Sequence, residues 1–205
     1  MIRTIRFFCM LIMFVCLFFT FYISVSAASD IAELSIFSDG TGGALGAGTH
    51  SFIALKNISG FVITIGTYDV DPDDEITVGI WGNKLPHKGL WYNMESYFVN
   101  QKDSYTNRVS LSMNIDNTQL ETITEIIKSS NRWSCFFNCT NLAAKIWNAV
   151  SSEKLSCGFW NTPSSLANSI KSYEFYETGK PIKSKNTSNV IYVYKGINIL
   201  CESFS

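Results

Sequence analysis

Trp133-Ser-Cys-Phe-Phe-Asn-Cys-Thr-Asn-Leu-Ala-Ala-Lys-Ile-Trp-Asn-Ala-Val150 is the stretch around which the rest of the chain is organised. Asn138 has the side chain of a helix N-cap, whose oxygen accepts a free N–H of the first turn. After it Leu142, Ile146 and Val150 recur four residues apart, and Ala143 and Trp147 widen the same stripe. That spacing predicts a helix beginning at Cys139 with one buried face. Cys139 then holds the first helical position, where unpaired N–H groups and the positive end of the helix dipole converge. The field there favours thiolate over thiol, and the thiolate is the nucleophile. The same amides can hold an oxyanion formed when sulfur attacks a carbonyl. The competing reading is that Cys139 is half of a disulfide, the usual fate of cysteine outside the cytoplasm.

The location follows from the other end of the chain. Arg3 and Arg6 precede an almost wholly apolar run from Phe7 to Val25, and small residues follow at Ser26, Ala27 and Ala28. Residues 1–28 therefore read as a signal peptide, with a run long enough to serve as an uncleaved anchor instead. Either way residues 29–205 are expected outside the cytoplasm, secreted or in the cell envelope, touching a membrane only through that segment. Roughly 175–180 residues remain, the size of one domain with one substantial core. The net charge is −1 and the Lys and Arg residues are scattered singly, without the basic stripe that nucleic acid requires.

Cys9 and Cys16 belong to the leader, which leaves Cys135, Cys139, Cys157 and Cys201. Those four allow three disulfide pairings; if Cys139 works as a thiol, only one bridge among Cys135, Cys157 and Cys201 can form. Zinc fits poorly, because the Cys135–Cys139 spacing is unusual for paired ligands and no His lies nearby. No metal or cofactor is expected. Asp39-Gly-Thr-Gly-Gly-Ala-Leu-Gly-Ala-Gly48 lacks both the phosphate-loop ending and the dinucleotide spacing. It reads as a flexible loop. The acidic run Asp69 to Glu75 contains a Pro and lacks a downstream Glu placed to complete a calcium site, so it reads as a solvated turn.

Strands are predicted over Ile31–Phe37, Thr49–Lys56, Phe61–Tyr68, Glu75–Trp81, Arg108–Ile115 and Val190–Tyr194, the last taken as the final strand. The second and third of these read as a β-hairpin about Asn57-Ile-Ser-Gly60. The aromatic stretch Leu90–Phe98 reads as a strand or part of a cleft. Asp116 with Gln119 is a capping box opening a helix to about Ser129, and Thr162-Pro163 opens another. The class is α+β.

An activated thiol needs a base, and histidine suits that work near neutral pH. The chain has two histidines. His50 stands at a strand end, a rigid support; His87 stands in a loop with Pro86 and is expected to be dispensable. In the hairpin register His50 faces Thr67 or Asp69, according to which pair of residues turns, and these are the candidates for a third residue that orients the imidazole.

Thr49-His50-Ser-Phe-Ile-Ala-Leu55, followed much later by Asn138-Cys139-Thr-Asn-Leu-Ala143, resembles the circularly permuted papain-like thiol hydrolases, which include permuted relatives of NlpC-type cell-wall peptidases and of lecithin:retinol acyltransferase. Leu142 stands where that pattern has an aromatic residue. The resemblance implies an antiparallel sheet packed against the cysteine helix, with His50 on an early strand. It also implies acyl-enzyme chemistry at Cys139, and for a secreted member an amide substrate in a cell-wall peptide. Lipid acyl substrates belong to other branches of the same group. Asn138-Cys-Thr140 is also a glycosylation sequon, so a catalytic Cys139 implies a secretory system that leaves it bare, such as a bacterial one. The rival class is a disulfide-stabilised binding module presenting Trp91, Tyr92, Tyr97 and Phe98.

Overall fold

A computed structural model describes residues 29–43, 48–185 and 187–203. The expected leader, residues 1–28, and the centre of the glycine loop lie outside the described residues. Ten strands and four helices are described. In chain order they are β1 (Ala32–Asp39), β2 (His50–Asn57), β3 (Ile63–Ile65), β4 (Tyr68–Val70), β5 (Glu75–Trp81), β6 (Gly89–Tyr92), α1 (Met94–Lys102), β7 (Val109–Ile115), α2 (Asn117–Lys128), α3 (Cys139–Val150), α4 (Pro163–Lys171), β8 (Glu177–Thr178), β9 (Ile191–Tyr194) and β10 (Ile197–Leu200). Eight strands form one sheet in the order β10-β9-β6-β5-β2-β1-β7-β8, with antiparallel neighbours, and β3 pairs with β4 alone. The class is α+β, as the sequence predicts.

Helices cover both faces of this sheet, because its central strands are apolar on both. Along β2, Ile53 and Leu55 point to one face and Phe52 and Ala54 to the other, all fully buried. The first face meets α2, α3 and α4 through Ile123, Ile127, Leu142, Ile146, Trp147, Leu166 and Ile170. The second meets α1 and the segment around Ile182 and Val190. Trp147 is buried, and its indole N–H donates to Glu153 O at 2.8 Å. Truncating so large a buried ring costs about 3–5 kcal/mol. Among the described residues no helix is long and apolar enough to cross a membrane.

The local signals at helix starts hold. Asp116 and Gln119 form the reciprocal capping box of α2, and Thr162 caps α4 with Pro163 in its first turn. Three expectations are corrected. Thr49–Lys56 and Phe61–Tyr68 do not form a hairpin: β2 lies between β1 and β5, with Asp39 opposite His50 and Val78 opposite Ile53. The cause is Asn57, whose side-chain amide donates to Phe61 O and Val70 O while its oxygen accepts from the Ser59 N–H. These bonds turn the chain away from β2 into the separate β3–β4 pair. The stretch after Leu90 is a short strand and then α1, which starts at Asn93 in the left-handed conformation without a side-chain cap. Finally, β9 is followed by β10 through Lys195-Gly196, both with positive φ, the conformation of a tight hairpin turn.

Candidate active site

The start of α3 is fixed from several directions at once. Asn138 Oδ1 accepts the Asn141 N–H at 3.0 Å, so the predicted cap is present. Its amide nitrogen donates to Asn161 O at 2.9 Å, and Asn161 Nδ2 donates to Phe136 O at 3.0 Å. The loops on either side, 133–138 and 157–162, are thereby laced together. Below them runs a buried chain of hydroxyls. Ser38 donates to Pro163 O at 2.7 Å, which leaves it to accept from Ser51 at 2.8 Å; Ser51 in turn lies 3.1 Å from Thr140. This chain pins the first turns of α3 and α4 to β1 and β2.

The β2–β5 ladder runs only from Ile53–Val78 to Lys56–Glu75. Before Ile53 the strands part, and the start of α3 brings Cys139 to this opening. There the sulfur hydrogen-bonds with the His50 imidazole and the Ser51 backbone N–H, with the Thr140 hydroxyl 3.9 Å away. His50, the first residue of β2, is buried, and its Nε2 is 2.9 Å from Glu95 Oε1. With Nε2 committed to Glu95, Nδ1 is the nitrogen left to exchange a proton with the sulfur. Sequence reasoning thus placed both Cys139 and His50, and the structure brings them together.

Glu95 was missed. It lies in the first turn of α1, fully buried, and the same Oε1 accepts the Trp81 indole N–H at 2.7 Å. Its Oε2 has no hydrogen-bond partner among the described residues. The sequence carried a signal, since Glu95 is the single acid in the otherwise uncharged run Leu90–Gln101. Thr67 and Asp69, the expected orienters, are elsewhere. Thr67 donates to Asn198 Oδ1 at 2.6 Å and its N–H to the Tyr92 hydroxyl, while Asp69 accepts from Thr64. They fail because the hairpin on which they were counted does not form. His87 is also remote from the thiol: its Nε2 is 2.9 Å from Asn131 Oδ1, and its ring stacks on Tyr192 at 5.5 Å.

Electrostatics couple the pair. Burial alone would push the Cys139 thiol up, but the His50 charge and hydrogen bond outweigh it and hold the thiol below its ordinary value. Burial alone would lower His50; the Cys139 charge and hydrogen bond, and then Glu95, raise it instead to about 9. Trp81 lies over the imidazole at 4.2 Å between ring centroids and Tyr105 at 5.7 Å. Such rings favour a cation against their faces. Tyr105 itself is held neutral by burial and by the negative groups Glu95, Cys139 and Asp39. The arrangement can therefore supply a sulfur nucleophile, a proton carrier behind it, and a buried carboxylate that orients the carrier.

All four described cysteines are free thiols, Cys135 exposed and Cys201 buried. Of the four aromatics expected on a binding face, Trp91 and Tyr92 are fully buried and Tyr97 and Phe98 are half-buried against the same cluster. Five of the exposed aromatics, Trp133, Phe136, Phe137, Phe159 and Trp160, lie on the two laced loops. No protein family model, characterised protein or solved structure matches this chain.

Proposed function

We propose that this protein is a secreted cysteine hydrolase that cleaves an amide bond in a cell-wall peptide through an acyl-enzyme. The supporting observation is the Cys139–His50–Glu95 alignment, with the thiol held low and the imidazole held high. Cys139 attacks the carbonyl carbon as a thiolate, forming a tetrahedral intermediate whose oxyanion faces N–H groups at the start of α3. Imidazolium His50 then protonates the departing amine and the thioester forms. Neutral His50 next takes a proton from water, which attacks the thioester; the acid leaves and the thiolate–imidazolium pair returns. Glu95 sits behind Nε2 and fixes the ring's orientation.

The fold we read as papain-like in circular permutation, because histidine precedes cysteine and an antiparallel sheet carries the cysteine helix on one face. The leader directs the domain out of the cytoplasm. A lipid acyl group is the second substrate class, favoured by the five exposed aromatics on the loops flanking the thiol.

The test is to incubate the secreted protein and its Cys139→Ala variant with cell-wall peptide fragments and follow new amine termini by mass spectrometry. Cleavage by the parent alone, with a thioester on Cys139 trapped by acid quench, supports the proposal. A quantitative disulfide at Cys139 in the active protein overturns it.

A further inference from the structure

The two loops beside the start of α3 hold large apolar rings in the open. Phe159 is 81% exposed and Trp160 67%, with Phe136, Phe137 and Trp133 exposed on the neighbouring loop. A contiguous set of this kind marks an interaction surface. The set is contiguous because Asn161 Nδ2 donates to Phe136 O and Asn138 Nδ2 donates to Asn161 O. It is also braced. Ser134 closes the first loop, its N–H donating to Phe137 O while its hydroxyl accepts the Phe137 N–H, both at 3.0 Å. The Trp133 ring lies against Gly82 and leaves no room for a Cβ there. Phe159 meets Trp160 edge-on, with 4.9 Å between ring centroids.

The charge around these rings is one-sided. Residues 133–144 and 155–170 contain no Asp, Glu, Lys or Arg. Beside them, Phe137 lines one cavity with Lys128, Arg132 and Lys145, and no acidic residue lines it. Arg132 and Lys145 have no acidic partner among the described residues. Lys128 pairs with Glu125 where both side chains are largely exposed, so its charge is little masked. An aromatic tip with a cationic collar matches the headgroup layer of an anionic bilayer. Aromatic rings settle at that depth, and each Lys or Arg near a negative surface strengthens binding about fivefold. A second copy of this chain fits poorly, because a two-fold contact through these loops would set the same cations against one another. Phe61 and Val62, another exposed apolar pair, line a groove with Glu121 and no cation, so they lack this match.

We propose that the two aromatic loops form a docking surface for an anionic lipid bilayer, a membrane contact separate from the leader. Phe136, Phe137, Phe159 and Trp160 enter the headgroup layer, while Arg132 and Lys145 meet lipid phosphates. Asn138, which joins the loops, immediately precedes Cys139, so the docked face is the one at which the helix carrying the sulfur begins. The proposal uses no property of the thiol and stands apart from the hydrolase reading.

Tryptophan fluorescence tests it, because none of the five tryptophans lies in residues 1–28 and Trp81, Trp91 and Trp147 are buried. A change on membrane contact therefore reports Trp133 and Trp160. The secreted protein is mixed with vesicles of phosphatidylcholine, with or without phosphatidylglycerol, made with brominated acyl chains. Emission is expected to shift to the blue and be quenched, with at least tenfold tighter binding to the phosphatidylglycerol vesicles, weakened by added salt. In vesicle sedimentation, Phe159→Ser/Trp160→Ser should bind at least tenfold more weakly while circular dichroism stays that of the parent. Arg132→Ala/Lys145→Ala should keep the quenching but reduce the anionic preference to within about threefold. Phe61→Ser should bind as the parent does. Absence of quenching, or binding that ignores lipid charge and both double substitutions, overturns the docking surface. Sedimentation with vesicles without tryptophan quenching assigns the contact to the leader and also overturns it. So does a concentration-dependent dimer, lost in Phe159→Ser/Trp160→Ser, in a protein that vesicles do not quench. Docking by a protein whose Cys139 proves inert upholds the surface and overturns only the hydrolase reading.

Discussion

Gly79 and Glu95 fit together only because Gly79 has no side chain. A Cβ at Gly79 would overlap Glu95 Oε1, lie 2.9 Å from its Cδ and stand 3.3 Å from His50 Nε2. Its φ lies outside the left-handed region, so the demand is for space. Gly79→Ala should therefore push the carboxylate off the imidazole. The expected result is a folded protein destabilised by about 1–3 kcal/mol, the usual cost of overpacking, with kcat reduced at least tenfold. Thermal denaturation and steady-state kinetics on one preparation check it; an unchanged kcat would remove Glu95 from the mechanism.

Activity should follow a bell in pH whose limbs belong to the thiol–imidazole pair. On the acid side the thiolate is lost by protonation, and because Cys139 is held below its ordinary value this limb lies below the usual thiol range. On the alkaline side the imidazolium is lost as pH rises through about 9. Iodoacetamide at pH 5.5 should therefore label Cys139 ahead of Cys135, Cys157 and Cys201. Burial pushes the Cys157 and Cys201 thiols up, which slows them further. Peptide mapping of the labelled protein reads the order directly.

Glu95→Gln and Glu95→Ala separate charge from orientation. Glutamine keeps an acceptor for His50 and Trp81 but removes the negative charge that helps to raise the imidazole. Its alkaline limb should move below 9 while much of kcat survives. Alanine removes the acceptor as well and should lower kcat by about two orders of magnitude, the scale of losing oriented acid–base catalysis. An alkaline limb that stays near 9 in the glutamine variant would show that Glu95 does not act through the imidazole.

His50→Ala should cost about two orders of magnitude in kcat or more, whereas His87→Ala should leave kcat near that of the parent. His87 is expected to matter for stability alone, through its contact with Asn131 and its stacking on Tyr192. Thr67→Ala likewise should leave the rate intact and cost about 1 kcal/mol for its bond to Asn198. Parallel kinetics and urea denaturation of the three variants tell these roles apart.

The parts of the site legible in the sequence are those encoded over a few neighbouring residues. Asn138 announces the cap, the Leu142–Ile146–Val150 spacing announces the buried face, and together they place Cys139 without reference to anything distant. His50 was found by scarcity and by its strand end. Strand partners are another matter. A strand apolar on both faces fits against any similar strand, so nothing local told β2 to choose β1 and β5 over the segment that follows it. The deciding bonds come from Asn57, whose amide reaches Val70, thirteen residues on. The error in pairing then passed to the orienting residue, because Thr67 and Asp69 were counted along a register that does not exist. Glu95 escaped for a related reason. The stretch around it mixes apolar and polar residues without a helical period and its helix begins at Asn93 without a side-chain cap, so periodicity could not distinguish it from a strand.

Asn138 has one side chain and two duties. Its oxygen terminates the helix that carries the sulfur, and its nitrogen grips the loop bearing Phe159 and Trp160 through Asn161 O. The loop and the start of the cysteine helix are therefore held as one unit. A lineage, or an engineer, that remodels residues 157–162 to grip a different molecule will also retune how nucleophilic Cys139 is. New specificities should accordingly emerge more readily through residues that do not touch Asn138 than through that loop.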